Sequence, residues 1–312
     1  MKRIAIICAS LLAFSLLTSP AHAWFWGADT YTETRYPVVL AHGMFGFDSL
    51  AGVDYWYRIP GELERSGADV HVTQVAALDG TVKRGEQLAR QVEEILATTG
   101  ADQVNLIGHS HGAPTIRYVA SVYPHYVASA TSVGGVNQGS RVADVVKGVT
   151  DDSALAESTV ETLGNALGNL IGLLSSSDYD ADVMASLSDL TTDALTRFNQ
   201  QYPEGVPADR CGNGNRHGSN GVQYFSWSGT QPLTNALDAS DALLGATSLV
   251  FDGANDGLVG RCSSHLGQVI RDDYRMNHLD EVNQLFGLHH LWATDPTSIY
   301  RQHANRLKNS GL

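Results

Sequence analysis

The chain has 312 residues, with 20 Lys and Arg against 33 Asp and Glu, a formal net charge of −13 and 43% hydrophobic residues. That charge argues against nucleic acid and against electrostatic docking on anionic membranes. The length and apolar content suit one large α/β domain or two small ones, and no repeat or low-complexity tract is present.

Residues 1–23 read as a signal peptide. Lys2 and Arg3 form a basic start, 4–17 an apolar core too short for a comfortable membrane span, and Ala21-His22-Ala23 a small-residue cleavage site. The mature chain is therefore expected to begin at Trp24 and to be exported. Cys8 leaves with the peptide, and an exported chain with only Cys211 and Cys262 left most simply makes one disulfide.

Residues 36–41 form a buried strand that runs into His42-Gly43-Met44-Phe45-Gly46-Phe47. Glycines in such a place mark close backbone approach. An ordinary strand-to-loop turn would account for them. With a nucleophilic serine downstream they read better as an oxyanion loop, the Met44 and His111 backbone N–H groups being the two donors. Residues 70–75 are a second strand, and Leu88, Val92, Ile95 and Leu96 then share one helical face.

At 104–114 an apolar run, Gly108-His109-Ser110-His111-Gly112 and a helical pattern through Ile116, Val119 and Val122 follow one another. Gly-x-Ser-x-Gly alone is often just a turn, but between strand and helix it is a nucleophile elbow. There a side chain at Gly108 or Gly112 would clash with a neighbouring element, and Pro114 fits the first helical turn. Residues 127–133 are another strand. Strand and helix alternate up to this point, so the sheet is mainly parallel and Ser110 lies at a strand's C-terminal end.

From 144 to 195 the pattern becomes a helical insertion. Val160, Leu163, Leu167, Leu170, Ile171 and Leu174 form an apolar stripe interleaved with Gly164, Gly168 and Gly172. A core helix explains such a stripe, and so does a marginally stable lid over an active site. Strands are expected at 222–227, 247–251 and 268–271, a polar turn at 237–241, a helix opening at 276–284 and a terminal helix from Tyr300 onward.

An activated serine needs a base, and the base needs an acid, in the chain order serine, acid, histidine. Of the late histidines, His278 is expected where a strand hands over to a helix. His289 and His290 lie beyond that helix, His303 sits inside the terminal one, and His265 beside Cys262 reads as structural. Asp252 and Asp256 both follow the 247–251 run and both precede glycine, as turn residues do. Asp256 lies deeper in its loop and is preferred. His109 and His111 flank the serine and are poor bases, because successive residues at an elbow point apart.

His42-Gly43-Met44-x-Gly46-Phe47, Gly108-His109-Ser110-His111-Gly112-x-Pro114, Ala254-Asn255-Asp256-Gly257-Leu258-Val259 and Met276-Asn277-His278-Leu279-Asp280 resemble the secreted true lipases of the Pseudomonas type. The likeness runs through the whole mature chain, including the tail 300–307. It implies an α/β-hydrolase fold with the triad Ser110, Asp256 and His278, a Cys211–Cys262 disulfide and a helical lid near 150–176. It implies one calcium on Asp238, Asp280, Gln284 and Leu288, the last two through backbone carbonyls. Asp280 and Asp238 by themselves read as a helix-first-turn acid and a turn residue. A membrane-anchored folding chaperone and release from the periplasm by the general (type II) secretion pathway are implied too. Ala113 stands where that pattern has glycine, and Val136-Asn137-Gln138-Gly139 where it has Pro-His-Lys-Gly.

The expected activity is hydrolysis of triacylglycerol by an acyl-enzyme route. The competing readings are an esterase for short soluble esters and a silent lipid-binding protein on a hydrolase scaffold.

Overall fold

The structure is a computed structural model and describes residues 29–44, 46, 49–50, 53–149, 157–174 and 183–312. The expected signal peptide, 1–23, lies outside the described residues, as do 150–156 and 175–176 of the expected lid.

The elements in chain order are β1 (Val38–Ala41), the short pair β2 (Ser49–Leu50) and β3 (Val53–Asp54), α1 (Ile59–Glu64), β4 (Val70–Thr73), α2 (Thr81–Thr99), β5 (Val104–His109), α3 (Gly112–Val122) and β6 (Val127–Val133). Then come α4 (Arg141–Val146), α5 (Glu157–Leu174), α6 (Val183–Asp189), α7 (Thr192–Gln201), β7 (Gln223–Gly229), α8 (Ala239–Ser248), β8 (Gln268–Tyr274) and α9 (Pro296–Asn309). Six strands form one sheet in the order β4-β1-β5-β6-β7-β8, every neighbouring pair parallel.

A parallel sheet is covered on both faces, and period-two side-chain alternation divides each strand between two cores. Along β1, Val38 and Leu40 join the core that holds Trp56, Ile59, Trp227 and Tyr300, while Val39 and Ala41 join the one built from α2 and α3. Leu88, Ala89 and Val92 are the buried stripe of α2, and Gly100 stops that helix in the left-handed region at φ 71°. Because β1 and β5 are neighbours in register, with Ala41 opposite Gly108, the loops after them emerge side by side.

Three expected elements are different in the structure. Residues 247–251 are no strand: Thr247 and Ser248 end α8, whose buried face continues Leu244 to Thr247. A short apolar, β-branched run fits either element, and packing decided it here. Asp238, expected in a polar turn, is the N-cap of α8 and accepts the Ser240 N–H. Residues 276–284 do not open an α-helix. A single 3-10 turn, Asp280–Val282, is stopped by Asn283 at φ 64°. His278 therefore stands on a loop between β8 and that turn, not at a strand-to-helix junction. Within 144–195 the described residues include the end of α4, α5, α6 and the start of α7. No helix among the described residues is long and apolar enough to cross a membrane.

Candidate active site

Ser110 sits between β5 and α3 in the left-handed region, at φ 56°. Strain of that kind, of order 1–3 kcal/mol, persists only where the surroundings enforce it. The flanking glycines are the means: a Cβ on Gly108 would meet the Gly112 carbonyl oxygen at 2.3 Å, and one on Gly112 would meet the Ala41 carbonyl oxygen at 2.3 Å. Neither position admits another residue without moving backbone. The 42–44 loop presses on the serine from β1, since a Cβ on Gly43 would lie 2.8 Å from Ser110 Cβ.

Two segments far apart in sequence meet beside the elbow. His278 Nδ1 lies 2.8 Å from Asp256 Oδ2, with both side chains buried. The other oxygen of Asp256 accepts the Leu258 and Val259 N–H groups at 2.8 and 2.7 Å, so the carboxylate is held on both sides. The Asp256 carbonyl in turn accepts the His278 N–H at 2.9 Å. His278 Nε2 is buried and has no hydrogen-bond partner. An imidazole fixed by an acid at one nitrogen and open at the other is the form a general base requires. The expected triad members are thus two in direct contact, with the elbow adjoining: the His109 ring lies 4.5 Å from that of His278.

Three further histidines take structural places. His265 faces the Gly212 carbonyl with one nitrogen and Asp272 with the other, each at 2.9 Å, close to the disulfide between Cys211 and Cys262. His303 on α9 meets Thr131 Oγ1. The His111 side chain faces Thr81 and Ser186, which bolts the elbow to α2 and α6. Burial holds its imidazole neutral, well below the usual histidine range.

Four residues that local patterns did not single out complete the site. Arg84 is fully buried and donates to the carbonyls of His42, Gly43, Ala76 and Ala77, with His42 closest at 2.6 Å. Burial lowers its guanidinium only to about 10, so it is charged at neutral pH. It holds two successive carbonyls of the 42–44 loop in one direction, which fixes the peptide planes leading to Met44. Its trace in the sequence is an arginine four positions before Leu88, in line with the apolar stripe of α2.

Tyr55 and His109 form the second link. His109 Nε2 lies 2.9 Å from the His278 carbonyl, which can only accept, so that nitrogen carries the proton. Its Nδ1 then accepts the Tyr55 hydroxyl proton at 2.5 Å, and the Tyr55 oxygen accepts the Gly43 N–H at 3.0 Å. Burial and the neighbouring His278 keep His109 neutral, far below its ordinary value. Glu281 is the fourth. One oxygen accepts the Gly229 N–H at 2.5 Å, and the other lies 3.4 Å from His109 Nε2 and 3.9 Å from His278 Nδ1. Burial, with the charge of Asp256 added, raises its carboxyl well above the usual range.

His109, His278 and Glu281 bring potential ligand atoms within 4.8 Å of one another. His109 Nε2 spends its proton on the His278 carbonyl and His278 Nδ1 faces Asp256, so the group is hydrogen-bonded to itself and does not present three lone pairs. The expected calcium ligands fit a cation better. Asp238 Oδ2 and Asp280 Oδ1 are buried with no hydrogen-bond partner. Burial raises both carboxyls, that of Asp280 to about 8, and neighbouring carboxylates push in the same direction. Hard carboxylate and carbonyl oxygens are what calcium takes. The nearby Leu285 N–H works against that rise at Asp238, so the 284–288 loop reaches the same region.

An apolar cavity of about 30 Å³ reaches Ser110 and is lined by Met44, Val142, Leu187, Leu258 and Leu167 of α5. Leu163, Ala166 and Leu167 are the buried side of α5, which packs on α4 and α8, while Thr162, Asn165 and Asn169 face outward.

A family model described as the alpha/beta hydrolase fold matches residues 36–282. A triacylglycerol lipase of Vibrio cholerae serotype O1 is 55% identical over 100% of both chains. Others from Burkholderia plantarii (40% identical, 97% of this chain and 94% of that one) and Pseudomonas fragi (40%, 91% and 100%) are also similar. Among solved structures, the mature Bacillus licheniformis lipase BlEst2 aligns with a TM-score of 0.61 at 17% identity, over 88% of this chain and 92% of that one. At that identity it speaks for the fold alone. The chain belongs to the α/β-hydrolase fold family and, within it, to the bacterial triacylglycerol lipases.

Proposed function

We propose that the protein is a secreted enzyme that hydrolyses water-insoluble triacylglycerol by a serine acyl-enzyme route, with Ser110, His278 and Asp256 as its triad. The observation that carries this reading is the Asp256–His278 pair at 2.8 Å, its imidazole open at Nε2 beside the strained serine. His278 Nε2 takes the Ser110 proton as Oγ attacks the ester carbonyl, and gives it to the departing alcohol. Asp256 keeps Nδ1 protonated and offsets the imidazolium charge. The Met44 and His111 N–H groups hold the oxyanion. Water, deprotonated by the same nitrogen, then releases the fatty acid and returns the proton to Ser110.

The cavity at Ser110, about 30 Å³, is too small for an acyl chain, and in this reading α5 moves to admit one. In this reading the expected lid, 150–176, turns its Leu163–Leu167 side toward oil. Calcium, when bound, supplies a fixed positive charge. Asp238, Asp280 and the carbonyls of Gln284 and Leu288 would hold it and brace the loop that carries His278. Export through the periplasm, a dedicated membrane-anchored folding chaperone and the type II secretion route rest on the resemblance of the whole chain to the lipases named above.

Ser110→Ala should lower triglyceride turnover by at least 10⁴-fold with an unchanged melting temperature, and a serine-directed phosphonate should label the native protein but not the variant. Turnover near that of the native protein, or no labelling, rejects the assignment.

A further inference from the structure

Six of the twelve exposed large hydrophobic side chains among the described residues lie on α8 and two nearby loops: Leu233, Leu237, Leu249, Phe286, Leu291 and Trp292. The loops, 229–237 and 285–294, are pinned together where Asn235 Nδ2 donates to the His289 carbonyl at 3.2 Å. Leu237, Leu291 and Trp292 are 82%, 88% and 82% exposed, a placement that a chain folding for itself alone does not favour. Neither loop contains Lys, Arg, Asp or Glu.

The patch is continuous with the cover over Ser110. Leu233 lies against Gly245 of α8, where an added Cβ would stand 2.7 Å from its Cδ2, and α8 packs on α5. Leu249 caps the same helix.

We infer that the two pinned loops, led by Leu291 and Trp292, are a second contact surface for an uncharged oil phase, separate from the moving helix α5. This inference rests on the lipase reading. The occupant follows from charge and continuity. A patch without cations on a chain of net charge −13 gains nothing from an anionic bilayer. Exposed leucines beside a tryptophan suit the boundary between an apolar phase and water. Contact there would bring α5 and the mouth over Ser110 against the same phase.

Trp292 reports on this in a Trp24→Phe/Trp26→Phe background, since the other described tryptophans, Trp56 and Trp227, are each only 1% exposed. Mixed with triolein droplets, that protein should show a blue shift in tryptophan emission that Trp292→Phe removes without loss of droplet binding. The pair Leu291→Ser/Trp292→Ser should raise the droplet area needed for half-maximal binding at least tenfold. Its turnover of a dissolved short-chain ester should stay within twofold of native. Leu237→Ser on the partner loop gives an independent variant with a smaller change in the same direction. Unchanged droplet binding in both variants overturns the inference. So does tighter binding to phosphatidylglycerol vesicles than to triolein, or a loss confined to yield of folded protein, which would give the patch to a protein partner. Binding without fatty-acid release would remove the lipase reading and leave the patch. Hydrolysis with Trp292 still in water would do the reverse.

Discussion

The Tyr55 hydroxyl donates to His109 Nδ1 at 2.5 Å, and this contact ties the loop after β1 to the loop that carries His278. On one side the Tyr55 oxygen accepts the Gly43 N–H, and on the other His109 donates to the His278 carbonyl. Three hydrogen bonds thus span from the expected oxyanion loop to the expected base, all of them buried. A buried polar chain is worth having only when every member is paired, because each orphaned group costs about 1–3 kcal/mol.

Tyr55→Phe removes the middle member and leaves both the His109 lone pair and the Gly43 N–H without their partner. The expected outcome is a stability loss of roughly 1–3 kcal/mol. It should come with a fall in kcat on a dissolved ester that exceeds any rise in KM, because relative placement of the two loops matters most in the transition state. Denaturant unfolding and steady-state kinetics on the same preparation check both. Native kcat in a destabilised variant would show that the tyrosine serves only the core.

The calcium reading makes a pH prediction whose sign follows from Asp280. Without a cation, burial above all, and then the charges of Asp238 and Asp241, raise its carboxyl to about 8. An acid raised on folding favours the folded state most below its unfolded value, near 4, and that advantage is lost as pH climbs toward 8. A cation needs the carboxylate, so below pH 8 binding must expel a proton, and apparent affinity should fall by up to tenfold per pH unit as the solution is acidified. Calcium titration calorimetry at pH 6 and 7, in buffers of different ionisation heat, measures the proton release directly. Excess calcium should also raise the melting temperature more at pH 8 than at pH 5. No proton release, and no calcium dependence of melting, would remove Asp280 from the site.

The part of the site legible in the sequence was the part fixed by near neighbours. The elbow could be read because its constraint is local: a Cβ added at Gly108 or Gly112 would stand 2.3 Å from a carbonyl oxygen, and both glycines lie within two residues of Ser110. His278 is the candidate that elimination leaves, whereas loop depth only favours Asp256 over Asp252 and the family resemblance chooses between them. The 247–251 run ends a helix, and 276–284 holds only a 3-10 turn. Chain order and loop position narrow the search even with those two elements misread, and the Asp256–His278 contact at 2.8 Å is what the structure adds. Tyr55, Arg84, His109 and Glu281 are harder to read, although Arg84 follows the α2 stripe and His109 lies inside the elbow motif. The partners that give them their roles lie 12, 42, 169 and 52 residues away, so the local pattern does not show what they do. Asp238 hid differently: an N-cap and a cation ligand ask for the same residue type, and only its orphaned Oδ2 separates the roles.

The same stripe on α5 fits a core helix or a lid, and Leu167 distinguishes them. Its side chain is buried, 4% exposed, and closes the cavity of about 30 Å³ at Ser110. If α5 is core, Leu167→Ala costs roughly 2–5 kcal/mol of global stability and leaves substrate preference unchanged. If α5 is a lid, the same loss falls on the closed arrangement alone, because the open one already exposes that face. The population then shifts toward open without oil to drive it. A dissolved ester should be turned over several-fold faster by Leu167→Ala, while the rate on emulsified triglyceride changes little, so the jump in rate at the solubility limit shrinks. The glycines favour the second case. Gly164 and Gly168 stand on the outward side with nothing near them, where they cost helix stability up to about 1 kcal/mol each and relieve no clash. A helix that only filled the core would gain from alanine there, whereas one that must detach and re-form loses little by being marginal. An unchanged rate ratio together with a lowered melting temperature would return α5 to the core.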